Sequence, residues 1–231
     1  NNSMLELILL WIIAVSAFTL FGAWYARKYE RPDVLIGLYV AFILVTNFTA
    51  QKIAIFDLGF VSVYTGATVL VFSVTFLLTD IVNEKFGRPE TQRMIAIGLL
   101  TQIAATVFIF LVLSLPPAPF WQNQQAWELI FGLVPRITLA SWITFLVSEN
   151  LDAYLFALIK RLTGGNYLWI RNAGSSIISL SVDTVLFVSL AFYGTGLPIW
   201  PLMVGQFLTK YLVAIIDIPF MYLNRWVMYR R

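Results

Sequence analysis

Seven apolar stretches alternate with short polar connections along the chain, and their length constrains the fold more than any other feature. They run over Leu5–Tyr25, Val34–Phe48, Tyr64–Val82, Met94–Leu113, Ile137–Ile159, Ala173–Tyr193 and Leu202–Val227. A helix needs about 20 mostly apolar residues to cross a ~30 Å hydrocarbon core, so the short second stretch is expected to continue toward Gln51. Lipid offers no partner to an open backbone, and runs of this length satisfy themselves as helices. Charged residues make up only 12% of the chain and hydrophobic ones 60%, where an average soluble domain is about a quarter charged. Apolar side chains must therefore cover the outside as well as the inside. The expected class is an all-α polytopic membrane protein.

The connections sort by charge. One alternate set holds Arg27, Lys28 and Arg31; Lys85, Arg88 and Arg93; Lys160, Arg161 and Arg171; and Arg225, Arg230 and Arg231. Only Lys52, Arg136 and Lys210 of the 15 basic residues fall elsewhere. Basic loops stay on the cytoplasmic side of a membrane. That predicts a multi-pass protein of the cytoplasmic membrane with its N-terminus outside and its C-terminus inside.

The chain has no His and no Cys. Thiolate nucleophiles, disulfides and His-based metal centres are absent with them, so no metal or other cofactor is expected. A net charge of +3 is too small to point to a nucleic-acid partner. The partners expected are the lipid bilayer and a small planar heterocycle, and the sequence leaves room for a homo-oligomer or a coupling module.

Two connections on the outer side are unusual. Residues Lys52–Thr65 alternate in hydrophobicity around Asp57-Leu58-Gly59, the pattern of a β-hairpin. Leu115–Pro135 carries Pro116, Pro117, Pro119, Trp121 and Trp127, a mixture suited to the membrane interface. It predicts a short surface helix, a lid or a resting loop.

Ionisable groups inside a span cost about 2.5–3.5 kcal/mol each on insertion scales and are kept where they face protein or a wet cavity. In the fifth stretch Ser141, Phe145, Ser148 and Asp152 fall at i, i+4, i+7 and i+11, with Glu149 beside them and Arg136 at the outer start. Asn172, Ser176, Ser179 and Asp183 repeat that spacing in the sixth, with Ser175 adjacent, and Gln206, Lys210 and Asp217 fit it in the seventh. Such spacing places each set on one helix face, and three polar faces pack best turned together. Asp80 and Glu84 form an acidic i, i+4 pair at the inner end of the third stretch, ahead of Gly87 and Pro89. At the outer end of the second, Asn47 and Gln51 share a face, and an amide offers donor and acceptor together. Phe76, Phe145, Phe187 and Phe207 are candidates to stack on a flat ring. Each set also has a plainer reading. Serines allow close helix packing, and Asp183 with Lys210 makes an ion pair that holds helices together.

Four runs, in order, carry a family resemblance: TFLLTDIVNEKFG (Thr75–Gly87), RITLASWITFLVSENLDAYLFALIKRL (Arg136–Leu162), RNAGSSIISLSVDTVLFVSLAF (Arg171–Phe192) and Lys210 followed by Pro219-Phe220-Met221-Tyr222. Together they resemble the queuosine-precursor transporters, also called the vitamin uptake transporter family, from Asn47 onward. The matching positions are Asp80, Glu84, Arg136, Asp152, Arg171, Ser175, Asp183, Lys210 and Pro219. The resemblance implies a six-helix core over 33–231, similar to the S-components of energy-coupling-factor transporters, with 1–32 as an appended first helix. It also implies a non-enzymatic importer of 7-cyano- or 7-aminomethyl-7-deazaguanine, precursors of queuosine or archaeosine.

On that basis the expected binding set is Asn47, Gln51, Phe76, Arg136, Asp152, Ser179, Asp183, Gln206 and Lys210. Asp183, supported by Ser179, would take the guanine-like edge, and Gln51 would close the site from above. The expected gating and inner network is Asp80, Glu84, Glu149, Arg171 and Asp217. Two alternatives stand beside this reading. One is a vitamin-binding S-component with a separate ATPase, docked through Gly22…Ala26 or Gly37…Ala41. The other is an intramembrane metal-dependent hydrolase using Asp80, Glu84, Glu149 and Asp152, weakened by the lack of His.

Overall fold

The computed structural model describes residues 2–49, 52–57, 62–132, 135–194 and 198–229, with the side chains of 2–5, 57, 129, 132 and 135–138 outside the description. Helices α1 (Asn2–Tyr29) and α2 (Asp33–Thr49) lead into a hairpin of β1 (Ile53–Asp57) and β2 (Ser62–Gly66). Then come α3 (Val69–Phe86), α4 (Arg88–Leu113), the short α5 (Gln124–Trp127) and a π-helical turn (Glu128–Gly132). Helices α6 (Pro135–Leu162), α7 (Leu168–Phe192) and α8 (Ile199–Tyr229) complete the chain.

The expected hairpin is present. Its strands pair antiparallel from Ile53 opposite Gly66 to Asp57 opposite Ser62, while Leu58 and Gly59 of the expected turn lie outside the described residues. Two boundaries differ from those expected. The third apolar stretch starts at Tyr64 in the sequence, but β2 takes Tyr64, and the helix runs from Val69 to Phe86. The fourth helix begins at Arg88 rather than Met94, because Pro89 in its first turn lacks only an N–H that would have no helical partner. Gly87, at φ 87°, separates α3 from α4, and its N–H reaches the Asn83 carbonyl at 3.1 Å. The short helix within the Trp-rich segment is α5.

Among the described residues five helices are long and apolar enough to cross a membrane: α1, α4, α6, α7 and α8. They make the chain an all-α polytopic membrane protein. The other two apolar stretches fall short for physical reasons. Helix α2 has 17 residues, a length of about 25 Å at 1.5 Å per residue. Helix α3 has 18 residues and carries Asp80, Glu84 and Lys85.

Helix α3 tolerates those charges because protein encloses it. Every residue from Ser73 to Glu84 is buried, and α8, α2, α4, α6 and α1 pack around it. The outer faces show the reverse pattern: Leu10, Ile13 and Phe21 on α1 and Phe108 and Leu111 on α4 point outward. A chain with apolar surface outside and charged groups inside is matched to lipid. Helix α1 is tied in by Trp11 Nε1 donating to the Leu70 carbonyl at 2.9 Å and by Asn224 Nδ2 donating to Thr19 at 3.1 Å. Of the two small-residue pairs, Gly22 and Ala26 pack inward, with a Cβ on Gly22 falling 2.5 Å from Leu35. Gly37 and Ala41 face outward.

The basic connections meet at one end of the bundle. Lys85 pairs with Glu30 at 3.1 Å, and Glu84 is approached by Lys160, Arg171 and Arg225. The hairpin, α5 and the C-terminal end of α7 therefore belong to the opposite end.

The hairpin is pressed against α8 through a glycine. A Cβ at Gly205 would lie 2.6 Å from the Tyr64 carbonyl oxygen, and a backbone atom cannot rotate away. Gly205→Ala is expected to lift β2 from α8 and to lower stability by about 1–3 kcal/mol, the usual penalty of overpacking. Gly37→Ala, with nothing within 4 Å, serves as the control and should unfold within ~0.5 kcal/mol of the parent. Thermal unfolding in detergent separates the two.

Candidate substrate cavity and buried polar column

A cavity of about 310 Å³ opens beneath the hairpin, within the range of about 300–1,000 Å³ found for small-molecule sites. Thr65, Gly66 and Thr68 border it from the hairpin side, and Ile43, Thr46 and Asn47 line it from α2. Helix α4 contributes Gln102, and α6 contributes Ser141, Thr144 and Phe145. Phe187 and Phe192 come from α7, Leu202 and Gln206 from α8, and Phe72 from α3. Asp183 and Lys210 are the lining residues of α7 and α8 nearest the opposite, basic end, so the pair forms the floor.

The floor is fully engaged. Lys210 Nζ donates to Asp183 Oδ2 and to Thr184 Oγ1 (3.2 Å), and it lies 5.6 Å from the Phe72 ring centre. Ser148 Oγ donates to Asp183 Oδ1 at 3.1 Å. Each carboxylate oxygen still has a second lone pair, and the ammonium a third proton, so both groups can also face a ligand. Among the described residues three other polar atoms in the wall have no partner: Gln102 Oε1, Gln206 Oε1 and Thr144 Oγ1. Buried polar atoms are ordinarily hydrogen-bonded, and three orphans converging on one cavity suit a ligand that supplies the missing partners.

Four of the expected binding residues line this cavity: Asn47, Asp183, Gln206 and Lys210. Three do not. Phe76 lies in the core against Leu180 and Ala214, with Phe72 above it taking the place at the cavity. Asp152 and Ser179 bond to each other at 2.7 Å, one helical turn below Ser148 and Asp183. Ser179 was expected to support Asp183 along the same helix. Side chains at i and i+4 both project toward the neighbouring helix, so the partner of each lies across the α6–α7 interface. The antiparallel register puts 148 against 183 and 152 against 179. Gln51 and the Arg136 side chain lie outside the described residues.

Sequence reasoning missed Gln102, Thr144 and Phe72. Gln102 carried a signal, as the one large polar side chain in the apolar run of α4.

Below the cavity a column of buried polar groups leads to the basic end. Glu149 accepts from Tyr39 at 3.2 Å and Thr75 at 3.4 Å. Asp152 and Asp80 come next, with Asn172 Nδ2 donating to Asp80 Oδ2. Asp217 is buried on α8 with Oδ1 unpartnered. At the end of the column Arg171, with no exposed surface, donates to Glu84 Oε1 at 2.7 Å and to the Gly165 carbonyl at 2.8 Å. Lys160 and Arg225 approach Glu84 at 3.3 and 3.5 Å, and Lys160 and Tyr229 both donate to its carbonyl. This cluster draws α3, α6, α7 and α8 together below the cavity. Among the described residues, no group of three or more acidic side chains is placed to hold a metal ion.

The family model described as "Putative vitamin uptake transporter" matches residues 66–224, from the end of β2 through most of α8. A Bacillus subtilis protein named "Probable queuosine precursor transporter" is 33% identical over 156 residues, 66% of this chain and 68% of the relative. The Escherichia coli "Queuosine precursor transporter" is 26% identical over 167 residues, 72% and 71% of the two chains. A Haemophilus influenzae "Probable queuosine precursor transporter" is 25% identical over 129 residues, 56% and 52%. No solved structure matches at the same stringency. The matched span includes the cavity floor and the buried acidic residues of the polar column with Arg171 and Lys160, and it ends just before Arg225. The chain belongs to the vitamin uptake transporter family and is a membrane transporter, not an enzyme.

Proposed function

We propose that this chain imports a queuosine or archaeosine precursor, 7-cyano- or 7-aminomethyl-7-deazaguanine, across the cytoplasmic membrane through the cavity beneath the hairpin. The names of three relatives support the cargo class. The observation that carries the assignment to this cavity is the set of orphaned polar atoms on Gln102, Gln206 and Thr144, around a charged floor and several Phe rings. A 7-deazaguanine is flat, with N–H donors along one edge and a carbonyl beside them. Asp183 and the amide oxygens of Gln206 and Gln102 accept from the N–H groups. Lys210 and Asn47 donate to the carbonyl, and Phe72 and Phe187 cover the ring faces.

On this reading the basic end of the bundle is cytoplasmic, the hairpin end faces outward, and the N-terminus lies outside. Helix α1 is an addition to a core of α2, α3, α4, α6, α7 and α8, with α2 and α3 crossing inside a sleeve of protein. The Glu84 cluster closes the inner side while the cavity is open to the outside.

A thermal-shift screen of the purified protein tests the cargo. Both deazaguanines should raise the unfolding temperature, and riboflavin should not. Gln206→Leu should weaken the response about tenfold in ligand concentration, the ~1–1.5 kcal/mol of one hydrogen bond. No shift with either deazaguanine, or an equal shift with riboflavin, would overturn the assignment.

A further inference from the structure

Among the described residues six carboxyl groups are buried in the bundle: Asp80, Glu84, Glu149, Asp152, Asp183 and Asp217. Glu84 has Arg171, Lys160 and Arg225, and Asp183 has Lys210. Among the described residues the other four have no cationic partner within ion-pair distance. A carboxylate buried without a counter-charge is strongly disfavoured, and the usual resolution is that it holds a proton.

The four are not equivalent. Glu149 accepts from two hydroxyls, Tyr39 and Thr75. Asp217 is buried on α8 with Oδ1 unpartnered. Asp80 and Asp152 interact electrostatically across the α3–α6 interface, where Asn83 Nδ2 donates to the Ala153 carbonyl at 2.9 Å beside them. Each already has one oxygen engaged, Asp80 Oδ2 by Asn172 and Asp152 Oδ1 by Ser179. Each has one oxygen with no donor, Asp80 Oδ1 and Asp152 Oδ2, and Asn172 Oδ1 beside them is unpartnered as well. Two neighbouring carboxyls cannot both ionise without a large repulsion, and a single shared proton removes it.

We propose that the Asp80–Asp152 pair is the transporter's proton site: it holds one exchangeable proton shared between α3 and α6, and import is coupled to the inward passage of that proton. This rests on the import function proposed above. The proton enters from the outer side through the wet cavity and is released to the cytoplasm, so each cycle moves one proton with one cargo molecule and leaves the pair unchanged. With the proton in place the two carboxyls hold α3 against α6. Without it, neighbouring like charges push the two helices apart, which supplies a difference between two states that a proton can bias.

The surroundings fit a site that gains and loses a proton. Asp80 faces Asn172 and Arg171 from α7 and Asp217 from α8, and Arg171 is already committed to Glu84 and Gly165. Asp152 faces Ser175, Ser176 and Ser179 from α7, Glu149 on its own helix and Tyr39 from α2. Hydroxyls and an amide can serve either the neutral or the ionised form.

The test uses the full chain in liposomes loaded with a trapped pH dye, in sodium-free buffer, with 7-cyano-7-deazaguanine added outside. The parent protein should acidify the lumen as cargo enters and should accumulate cargo when the lumen is alkaline. Asp80→Asn and Asp152→Asn, which keep side-chain volume, should each still bind the compound in a thermal shift and exchange it between the two sides. Both should lose acidification and accumulation. Uptake by the parent without acidification, uptake that needs sodium instead, or acidification surviving in both variants would overturn the proposal. If the parent binds no deazaguanine, the cargo assignment has failed, and a cargo-independent signal then decides the pair. The infrared carbonyl band of a protonated buried carboxyl should be present in the parent and diminished in the double variant Asp80→Asn/Asp152→Asn, which leaves the pair no carboxyl to hold the proton, and an unchanged band would overturn it.

Discussion

Asp183→Ala is expected to abolish cargo binding and to destabilise the protein by about 3–5 kcal/mol, the penalty of leaving one member of a buried ion pair alone. Asp183 is 5% exposed and Lys210 6%, so the ammonium that remains gains little hydration. The substitution also strips Ser148 of its partner and removes the charged floor of the cavity. Stability and transport can be separated. Asp183→Leu combined with Lys210→Met removes both charges, and replacing a whole buried pair by apolar groups is often neutral or stabilising. The double variant should recover most of the unfolding temperature and none of the uptake. Uptake restored along with stability would mean that the pair only holds helices together. Thermal unfolding and uptake on the same preparations give both readings.

Arg171→Met should cost about 1–3 kcal/mol, because Glu84 loses the guanidinium that meets it at 2.7 Å while Lys160 and Arg225 remain at 3.3 and 3.5 Å. Lys160→Met should cost no more than ~1 kcal/mol, since its side chain is 35% exposed and solvent screens the pair. The contrast tests whether Arg171 is the anchor of the inner cluster and Lys160 an auxiliary. The chain has no cysteine, so a single reporter is clean. Ala153→Cys, at a buried position whose carbonyl accepts from Asn83 at 2.9 Å, should react with a water-soluble maleimide faster in the Arg171→Met background. Equal labelling rates in the two backgrounds would show that the cluster does not close the inner side.

Much of this architecture is legible in the sequence because helix geometry converts spacing into faces. The polar sets on α6, α7 and α8 recur at i+4 and i+11, and the structure turns all three inward. Charge distribution likewise anticipates the gathering of Arg171, Lys160, Arg225 and Lys85 at one end. What spacing cannot give is register between helices. The expected binding set joins Asp152, Ser179 and Asp183, whereas the α6–α7 register splits them into a cavity floor and a separate layer one turn lower. It also cannot show which helix is central. The acidic pair on α3 is explained only by the five helices packed around it, which no pattern within α3 discloses. Gln102 was obscured for a related reason: most of α4 faces lipid, and its apolar average hides one polar side chain on the inner face. The hairpin was readable from alternation, but its role as the cavity's roof follows from the contact of Tyr64 with Gly205.

Uptake of radiolabelled 7-cyano-7-deazaguanine into liposomes containing only this purified chain tests the central claim most directly. The account predicts saturable uptake by the parent protein, competition by 7-aminomethyl-7-deazaguanine, and loss of uptake in Asp183→Ala. Absence of uptake by folded protein, or uptake only after an ATPase module is added, would contradict it.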